Sequence, residues 1–407
     1  MKDDQSFLFE ILNSDSAERR ESLRVFLEYC PKIGLLQFMK IVFSPIKFLF
    51  KTPPILEKAD VVFDCSNAEK FKRMRPLVKS LDQVLLFVSD LSTERSKIFF
   101  LSKDVRYRLG FPANFSGYWR MLPRLLNGTR TQICFRVLAA QHLIHYDWIF
   151  KATGAKFIVT ANDDSWISPI LSKFCKMNDV VNINVMHGRT YQTKQFYDYS
   201  IVFGRESERA TSRNALSTTK VLRHTPVELF PGIQQDHFHL SKKLIFFDQP
   251  NFEFFSQSLR NELFSLFDVL HTQYGFDISI KLHPAQQAYQ VGLYSKFHFF
   301  KMESNQELLA KNGIALSICS TVGLEVISSG LPIIYVNQGN VLEHFLQINF
   351  LKNTAPTSVP SVLKLLLQLQ EGGHYHRYYE EQLEMLKSEY MTTEQTNPLI
   401  MEPQNEN

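Results

Sequence analysis

The sequence predicts a two-domain α/β protein with mainly parallel sheets. Three observations carry this expectation. The chain has 407 residues, more than one hydrophobic core usually organises. Strand-like apolar runs alternate with helical stretches along most of it, the signature of βαβ units. Residues 226–241 lack any clear period and contain Pro226, Pro231 and Gly232, which reads as an interdomain linker.

In chain order, residues 1–30 read as helical and charged, ending near Pro31. The apolar segment 33–50 follows, carrying Lys40 and Lys47 and cut by Pro45. It falls short of the about 20 predominantly apolar residues that a bilayer crossing needs. It predicts either a helix packed on the first domain or an interfacial helix presenting Leu35, Leu36, Phe38, Met39, Phe43, Phe48 and Phe50. After Pro53-Pro54, strands are expected at 59–63 and 84–89, a long helix at 131–152, and a strand at 157–161 running into Asn162-Asp-Asp-Ser165. A helix then reaches about residue 175, and a strand at 181–186 runs into His187-Gly188. Two more strands are expected at 199–204 and 219–224. Past the linker come a strand at 243–250, a helix near 255–273, a strand ending at 281–284 and another at 314–317. A helix from about 322, a strand at 331–336 and two helices near 358–370 and 374–390 complete the series. The expected organisation is an N-terminal helical segment (1–55), a first α/β domain (56–235), a second (240–390) and a polar, disordered tail (391–407).

Composition narrows the function. Hydrophobic content of 44% with 21% charged residues is that of an ordinary globular chain. A net charge of +4, without interleaved aromatics or dense basic stripes, argues against a dedicated nucleic-acid binder. The 35 phenylalanines fall partly in runs (Phe99-Phe100, Phe246-Phe247, Phe299-Phe300) that read as buried strands. The five cysteines at 30, 65, 134, 175 and 319 are odd in number and form no CxxC pair, as expected of a reduced, cytoplasmic protein. The opening Met1-Lys-Asp-Asp-Gln-Ser is unlike a secretory signal, so the sequons at Asn114 and Asn127 are expected to be incidental.

Two strand ends in the second half carry the chemistry. Asp277-Ile-Ser-Ile-Lys-Leu-His-Pro284 places His283 just past a strand, fixed by Pro284, with Lys281 nearby. An imidazole there can donate to a phosphate oxygen; the plainer alternative is a turn. Ser317-Ile-Cys-Ser-Thr321 offers hydroxyls and amides where a helix begins. Such a terminus binds anions, and Ser320 or Thr321 would equally cap the helix. Glu325, one turn further in, can accept both ribose hydroxyls, or can simply be solvated. In open α/β sheets ligands bind beyond the carboxyl ends of the strands, so these residues together predict a nucleotide site.

Lys281-Leu-His-Pro284 followed by Ser320-Thr-Val-Gly-Leu-Glu-Val-Ile-Ser-Ser-Gly-Leu-Pro332 resembles the carboxyl-terminal half of GT-B glycosyltransferases. It is similar in particular to bacterial sialyltransferase, polysialyltransferase and capsule-polymer transferase families. In the first half, Ala161-Asn-Asp-Asp-Ser165 and Val185-Met-His-Gly188 agree, the latter resembling transferases of polyol phosphate polymers. The resemblance covers roughly residues 155–340. It implies two Rossmann-like domains facing a cleft, with the nucleotide-sugar donor on the second and a saccharide or glycolipid acceptor on the first.

The resemblance also implies residue roles. Asp164 or Asp163 matches the general base of the sialyltransferase pattern, although Ser165 stands where a glycine often follows. His187 matches the base proposed in the polyol-phosphate families. His283 would assist the departing phosphate, with Lys281, Pro284, Ser320, Thr321 and Glu325 completing the nucleotide site. The residues alone allow other roles: Asp163 and Asp164 as a helix cap, His187 as a loop histidine. Arg189 and Lys194 are candidates for an anionic acceptor, or are solvated loop charges. No metal site and no cofactor are expected, the His237/His239 and His374/His376 pairs being spaced i,i+2.

The expected function is therefore an inverting, metal-independent glycosyltransferase for surface polysaccharide or lipooligosaccharide, in the cytoplasm or at the inner face of the cytoplasmic membrane. The Lys-x-His-Pro pattern leans to a CMP-sugar, while the glutamate after Ser-Thr leans to UDP or GDP. The competing classes are a nucleotide-sugar epimerase or hydrolase of the same fold, and a non-catalytic polysaccharide-assembly protein.

Overall fold

The computed structural model describes residues 10–29, 32–43, 58–64, 84–88, 97–100, 105–108, 116–160, 166–186, 196–224, 242–249, 256–283, 296–300, 303–311, 313–345, 348–371 and 373–390. The expected linker at 226–241 and the tail at 391–407 lie outside them. The described residues build two sheets.

The first sheet contains β1 (Val61–Asp64), β2 (Val84–Val88), β3 (Lys97–Phe100), β4 (Val105–Arg108), β5 (Phe157–Thr160), β6 (Val181–Val185), β7 (Tyr199–Val202) and β8 (Lys220–Arg223). Their spatial order is β4-β3-β2-β1-β5-β6-β7-β8. The strands run parallel from β2 through β8, and β3 and β4 extend the β2 edge antiparallel. The helices of this half are α1 (Ala17–Tyr29), α2 (Leu35–Phe43), α3 (Ser116–Leu125), α4 (Arg130–Thr153), α5 (Ser168–Met177) and α6 (Arg205–Asn214).

The 24 residues of α4 have clear stops. Thr129 and Gln132 form a capping box at its start, and Gly154 adopts φ 74° at its end, a left-handed conformation that favours glycine. Its inner face buries Ile133, Val137, Ala140, Leu143 and Ile149 against Val62 and Ile158 of the sheet.

The second sheet is wholly parallel, in the order β11-β10-β9-β12-β13. It comprises β9 (Lys243–Phe247), β10 (Asp277–Lys281), β11 (His298–Phe300), β12 (Ile314–Ser317) and β13 (Ile333–Tyr335). The helices here are α7 (Gln257–Tyr274), α8 (Asn305–Leu309), α9 (Val322–Ser328), α10 (Val359–Leu369) and α11 (His374–Tyr390). Strands β9 and β12 read as continuous apolar runs because helices cover a parallel sheet on both faces. Phe246 and Phe247 are buried as expected, but Phe299 sits on the edge strand β11 and is 44% exposed.

Helix α11 ties the two halves together. Leu386 and Tyr390 pack in the core that the second sheet shares with one face of the first. Next to them, the Glu389 carboxylate accepts a hydrogen bond from the Glu206 amide at 2.8 Å, in the first turn of α6. Gly204, at φ 88°, gives it room: an added Cβ would lie 2.4 Å from Glu389 Oε1.

Helices α3 and α6 were not anticipated by the hydrophobic pattern. Helix α6 (Arg-Glu-Ser-Glu-Arg-Ala-Thr-Ser-Arg-Asn) has no apolar stripe, and it turns Ser207 and Thr211 inward instead. With only hydroxyls at the i,i+4 positions there is no hydrophobic period to detect.

Candidate functional site

In the second sheet the chain runs from the central β9 outward through β10 to β11, then crosses back to β12 and β13. The direction of winding reverses between β9 and β12, and this is the point where open α/β sheets bind ligands beyond the strand ends. Strand register aligns Lys281, Phe247, Ser317 and Tyr335 in one row across β10, β9, β12 and β13. Just past that row stand half-buried His283 on one side of β9 and half-buried Ser320 and Thr321 on the other. The two flanking strands are two sheet spacings, roughly 10 Å, apart. That gap suits a phosphate group held from both sides.

The strand end between them is fixed from below. Asp248, the residue after β9, forms an ion pair with Arg260 of α7 at 3.3 Å, and both side chains are fully buried. The Asp248 carboxylate also accepts from the Gln249 amide at 2.8 Å, while Arg260 donates to the Gln249 carbonyl. A buried charge is retained only when it is paired and hydrogen-bonded, so this pair pins the turn that leaves β9.

The β12 end is held equally firmly. Ser317 Oγ donates to the Phe247 carbonyl at 3.2 Å, and Tyr335 Oη donates to the Ser320 carbonyl at 2.5 Å. Gly323 makes this possible, because an added Cβ would sit 2.0 Å from Tyr335 Oη. Burial drives the Tyr335 hydroxyl pKa well above the usual tyrosine value, with Cys319 adding to it, so it remains a donor. Of the two capping candidates, Ser320 does the capping: its Oγ accepts from the Val322 amide at 3.3 Å. Thr321 makes no side-chain cap bond. Helix α9 has only seven residues, so what this end can offer an anion is its hydroxyls more than a helix dipole.

Two of the expected nucleotide residues have other engagements. Glu325 accepts from Asn305 Nδ2 at 2.8 Å, tying α9 to α8. Lys281 Nζ donates to the Glu303 carbonyl, so it points toward the β11 side and away from the gap between β9 and β12. Burial lowers the Lys281 pKa, against an upward pull from Glu303. Pro284 lies outside the described residues.

The first sheet has its own reversal, between β1 and β5. Register there aligns Asp64, Thr160, Asn184 and Ser200 across β1, β5, β6 and β7, and all four are at most 3% exposed. Tyr146 of α4 donates to Asp64 Oδ2, and burial followed by the Asp64 charge raises its hydroxyl pKa. Thr160 Oγ1 donates to Asn184 Oδ1 at 3.4 Å. This buried polar row lies at or next to the strand ends from which the chain enters the two expected acceptor-side motifs. Those motif residues, Asp163, Asp164, His187, Arg189 and Lys194, lie outside the described residues.

Sequence reasoning missed Asp248, Arg260, Gly323 and Tyr335 as parts of the donor-side strand ends, and Asp64 and Tyr146 on the other sheet. Asp248 stood at the end of an expected strand, and Gly323 lay within the Ser-Thr motif. Arg260 gave no signal, being one charge in an amphipathic helix. Among the described residues no cluster of three or more His, Cys, Asp or Glu could hold a metal ion.

No family model and no curated protein sequence matches the chain. Solved structures do. MnaA of S. aureus, in a co-structure with UDP, superposes with a TM-score of 0.50 at 11% identity, covering 80% of this chain and 91% of that one. The chain has the GT-B fold. UDP-GlcNAc 2-epimerase from Neisseria meningitidis bound to UDP-GlcNAc follows at TM-score 0.49 and 13% identity, covering 80% and 94% of the two chains. An O-GlcNAc transferase mutant of Thermobaculum terrenum gives TM-score 0.44 and 11% identity over 94% and 76%. At such identities the likeness concerns architecture, and activity has to be argued from the site.

Proposed function

We propose that the protein is a nucleotide-sugar-dependent glycosyltransferase acting on a saccharide or glycolipid acceptor in surface polysaccharide or lipooligosaccharide synthesis. The observation that carries this reading is the position of His283 just past β10 and of Ser320 and Thr321 just past β12, the two strands that flank β9 at the reversal point of the second sheet. An acceptor hydroxyl attacks the anomeric carbon and the bond from that carbon to the phosphate oxygen breaks. The hydroxyl proton passes to Asp164, Asp163 or His187, and the nucleotide leaves with the bonding electrons on its phosphate. Fixed donors at that phosphate contribute most where negative charge develops. Glu325 holds the ribose, and Arg189 and Lys194 receive an anionic acceptor. The enzyme works without a metal, on the cytoplasmic side, in an inverting reaction. The Lys-x-His-Pro pattern favours a CMP-sugar; the UDP bound by MnaA makes UDP-sugars the next donors to test.

The test is thermal stabilisation of the full chain by CMP, UDP, GDP and CDP, repeated with His283→Ala. A ligand that binds only the native state stabilises it by mass action, about 2.7 kcal/mol at a hundredfold excess over Kd. One nucleotide should stabilise the wild type and lose most of that effect in the variant. Stabilisation untouched by His283→Ala would move the nucleotide elsewhere. Release of a free or epimerised sugar from the nucleotide sugar, without transfer to any acceptor, would replace transferase with hydrolase or epimerase.

A further inference from the structure

Helix α2 is buried on one side only. Phe38, Ile41 and Val42 face α4, and two polar side chains hold the end of the helix: Tyr118 Oη donates to the Val42 carbonyl at 3.1 Å, and Gln141 Nε2 to the Ile41 carbonyl at 3.3 Å. Those carbonyls are among the four that a helix end leaves without intrahelical partners, so α2 is locked on the body of the protein. Its opposite side is apolar and faces water. Leu36 is 73% exposed, Leu35 58%, Met39 44% and Phe43 42%. Leu36, Met39, Lys40 and Phe43 follow the i, i+3, i+4, i+7 spacing of a single helix face, and Leu35 adjoins Met39 one turn back. A soluble surface places single large apolar side chains in water routinely, but four together on one rigid face mark an interaction site.

The charge around this face selects its partner. Lys32 and Lys40 border it, both exposed. Between Glu28 and Glu57 the sequence holds four lysines, at 32, 40, 47 and 51, and no aspartate, glutamate or arginine. That local excess equals the net charge of the whole chain, +4. A protein partner would be expected to meet so exposed an apolar stripe with a groove of its own and some acidic counterpart of defined geometry. A lipid surface asks only for an apolar stripe with basic residues at its margin. No helix among the described residues is long and apolar enough to cross a membrane, so the geometry suits lying in the interface.

We propose that the outward face of α2, with Leu35, Leu36, Met39 and Phe43 as the inserting residues and Lys32 and Lys40 as the charged margin, docks the protein on an anionic phospholipid surface. The helix is prefolded and already anchored by Tyr118 and Gln141, so docking orders little further chain and keeps a fixed orientation of the body to the bilayer. The proposal stands independently of the transferase chemistry.

The test is co-sedimentation of the full chain with phosphatidylcholine vesicles, with and without about one-third phosphatidylserine. The wild type should bind the anionic vesicles, and more weakly as salt rises. Lys32→Gln/Lys40→Gln should reduce partitioning by roughly fivefold per lysine. Leu36→Ser/Met39→Ser should abolish most of it while leaving the melting temperature unchanged, since both side chains already face water. No binding by the wild type overturns the proposal. So does binding that the Leu36/Met39 variant retains, or equal binding to neutral vesicles. A dimer in sedimentation velocity that dissolves in the same variant would reassign the face to self-association and also overturn it.

Discussion

Removing the acid of the Asp248–Arg260 pair tests whether that pair pins the end of β9. Asp248→Ala leaves the Arg260 guanidinium in a site where neither side chain has any solvent exposure. Breaking a buried pair from one side costs about 3–5 kcal/mol, because the remaining charge stays desolvated. Arg260 keeps its bond to the Gln249 carbonyl, which places the expected loss near the lower end, about 3 kcal/mol. A melting temperature lower by roughly 6–12 °C follows for a unit of this size. Arg260→Met should also destabilise, by taking the ion-pair partner from a fully buried carboxylate. The double variant should cost less than the sum of the two, since nothing charged then remains buried. Far-UV circular dichroism is the suitable probe. All three tryptophans, at 119, 148 and 166, lie in the first half, so their fluorescence reports little on the second sheet directly. A loss below about 1 kcal/mol for Asp248→Ala, or strictly additive single and double variants, would refute the claim that this pair holds the strand end.

Three further outcomes are expected. Gly323→Ala places a methyl group 2.0 Å from Tyr335 Oη; it should cost about 1–3 kcal/mol in a thermal melt and weaken nucleotide binding by displacing Ser320. Burial holds the Glu389 carboxyl pKa above the ordinary glutamate value, outweighing the Glu206 amide bond that lowers it. The native state therefore keeps its proton to higher pH than the unfolded chain, and stability falls as pH rises from the unfolded pKa through the folded one. Glu389→Gln should remove that slope in melts taken across this range, and an unchanged slope would discount the residue. Asp164→Asn should cut turnover by at least tenfold with donor binding intact, consistent with a general-base contribution of about 10²–10⁴-fold; full activity would pass the role to Asp163 or His187.

Much of the architecture was legible because parallel sheets write themselves as apolar runs between amphipathic helices. The strand expected at 314–317 is β12, Ile314–Ser317, and the helix expected at 374–390 is α11, His374–Tyr390. Where reading failed, the physical cause differs by element. Helix α6 is buried through Ser207 and Thr211, so hydrophobic period had nothing to register. Strand β6 (Val-Asn-Ile-Asn-Val) lies within the expected 181–186, but nothing in its sequence told that Asn182 and Asn184 are buried, at 0% and 3%. Alternation reports polarity; it cannot report whether a helix covers the polar face. At the candidate site, the positions of His283 just past β10 and of Ser320 just past β12 were legible from strand-end motifs. Arg260 and Tyr335 act from neighbouring elements, and their contacts exist only once the sheet has assembled.

The two sheets share a feature that hydrophobic packing alone does not explain. In each, the layer at the carboxyl ends of the central strands is polar and buried: Asp64, Thr160, Asn184 and Ser200 in the first, Asp248, Arg260 and Ser317 in the second. Buried polar groups cost stability unless they are satisfied, and an apolar layer would hold these strands at lower cost. The benefit is geometric. A strand end is where the backbone ladder stops, and the carbonyls of Phe247, Gln249 and Ser320 would otherwise be free to turn. Donors from Ser317, Arg260 and Tyr335 fix each one. The segments that follow then leave the sheet in one direction, which a site built from separate strand ends requires if His283 and the Ser320–Thr321 hydroxyls are to meet one ligand. The stability cost and the proposed chemistry thus lie in the same layer. Variants that loosen the layer should therefore lose ligand affinity before they lose the fold, whereas variants in the apolar cores beneath should lose both together.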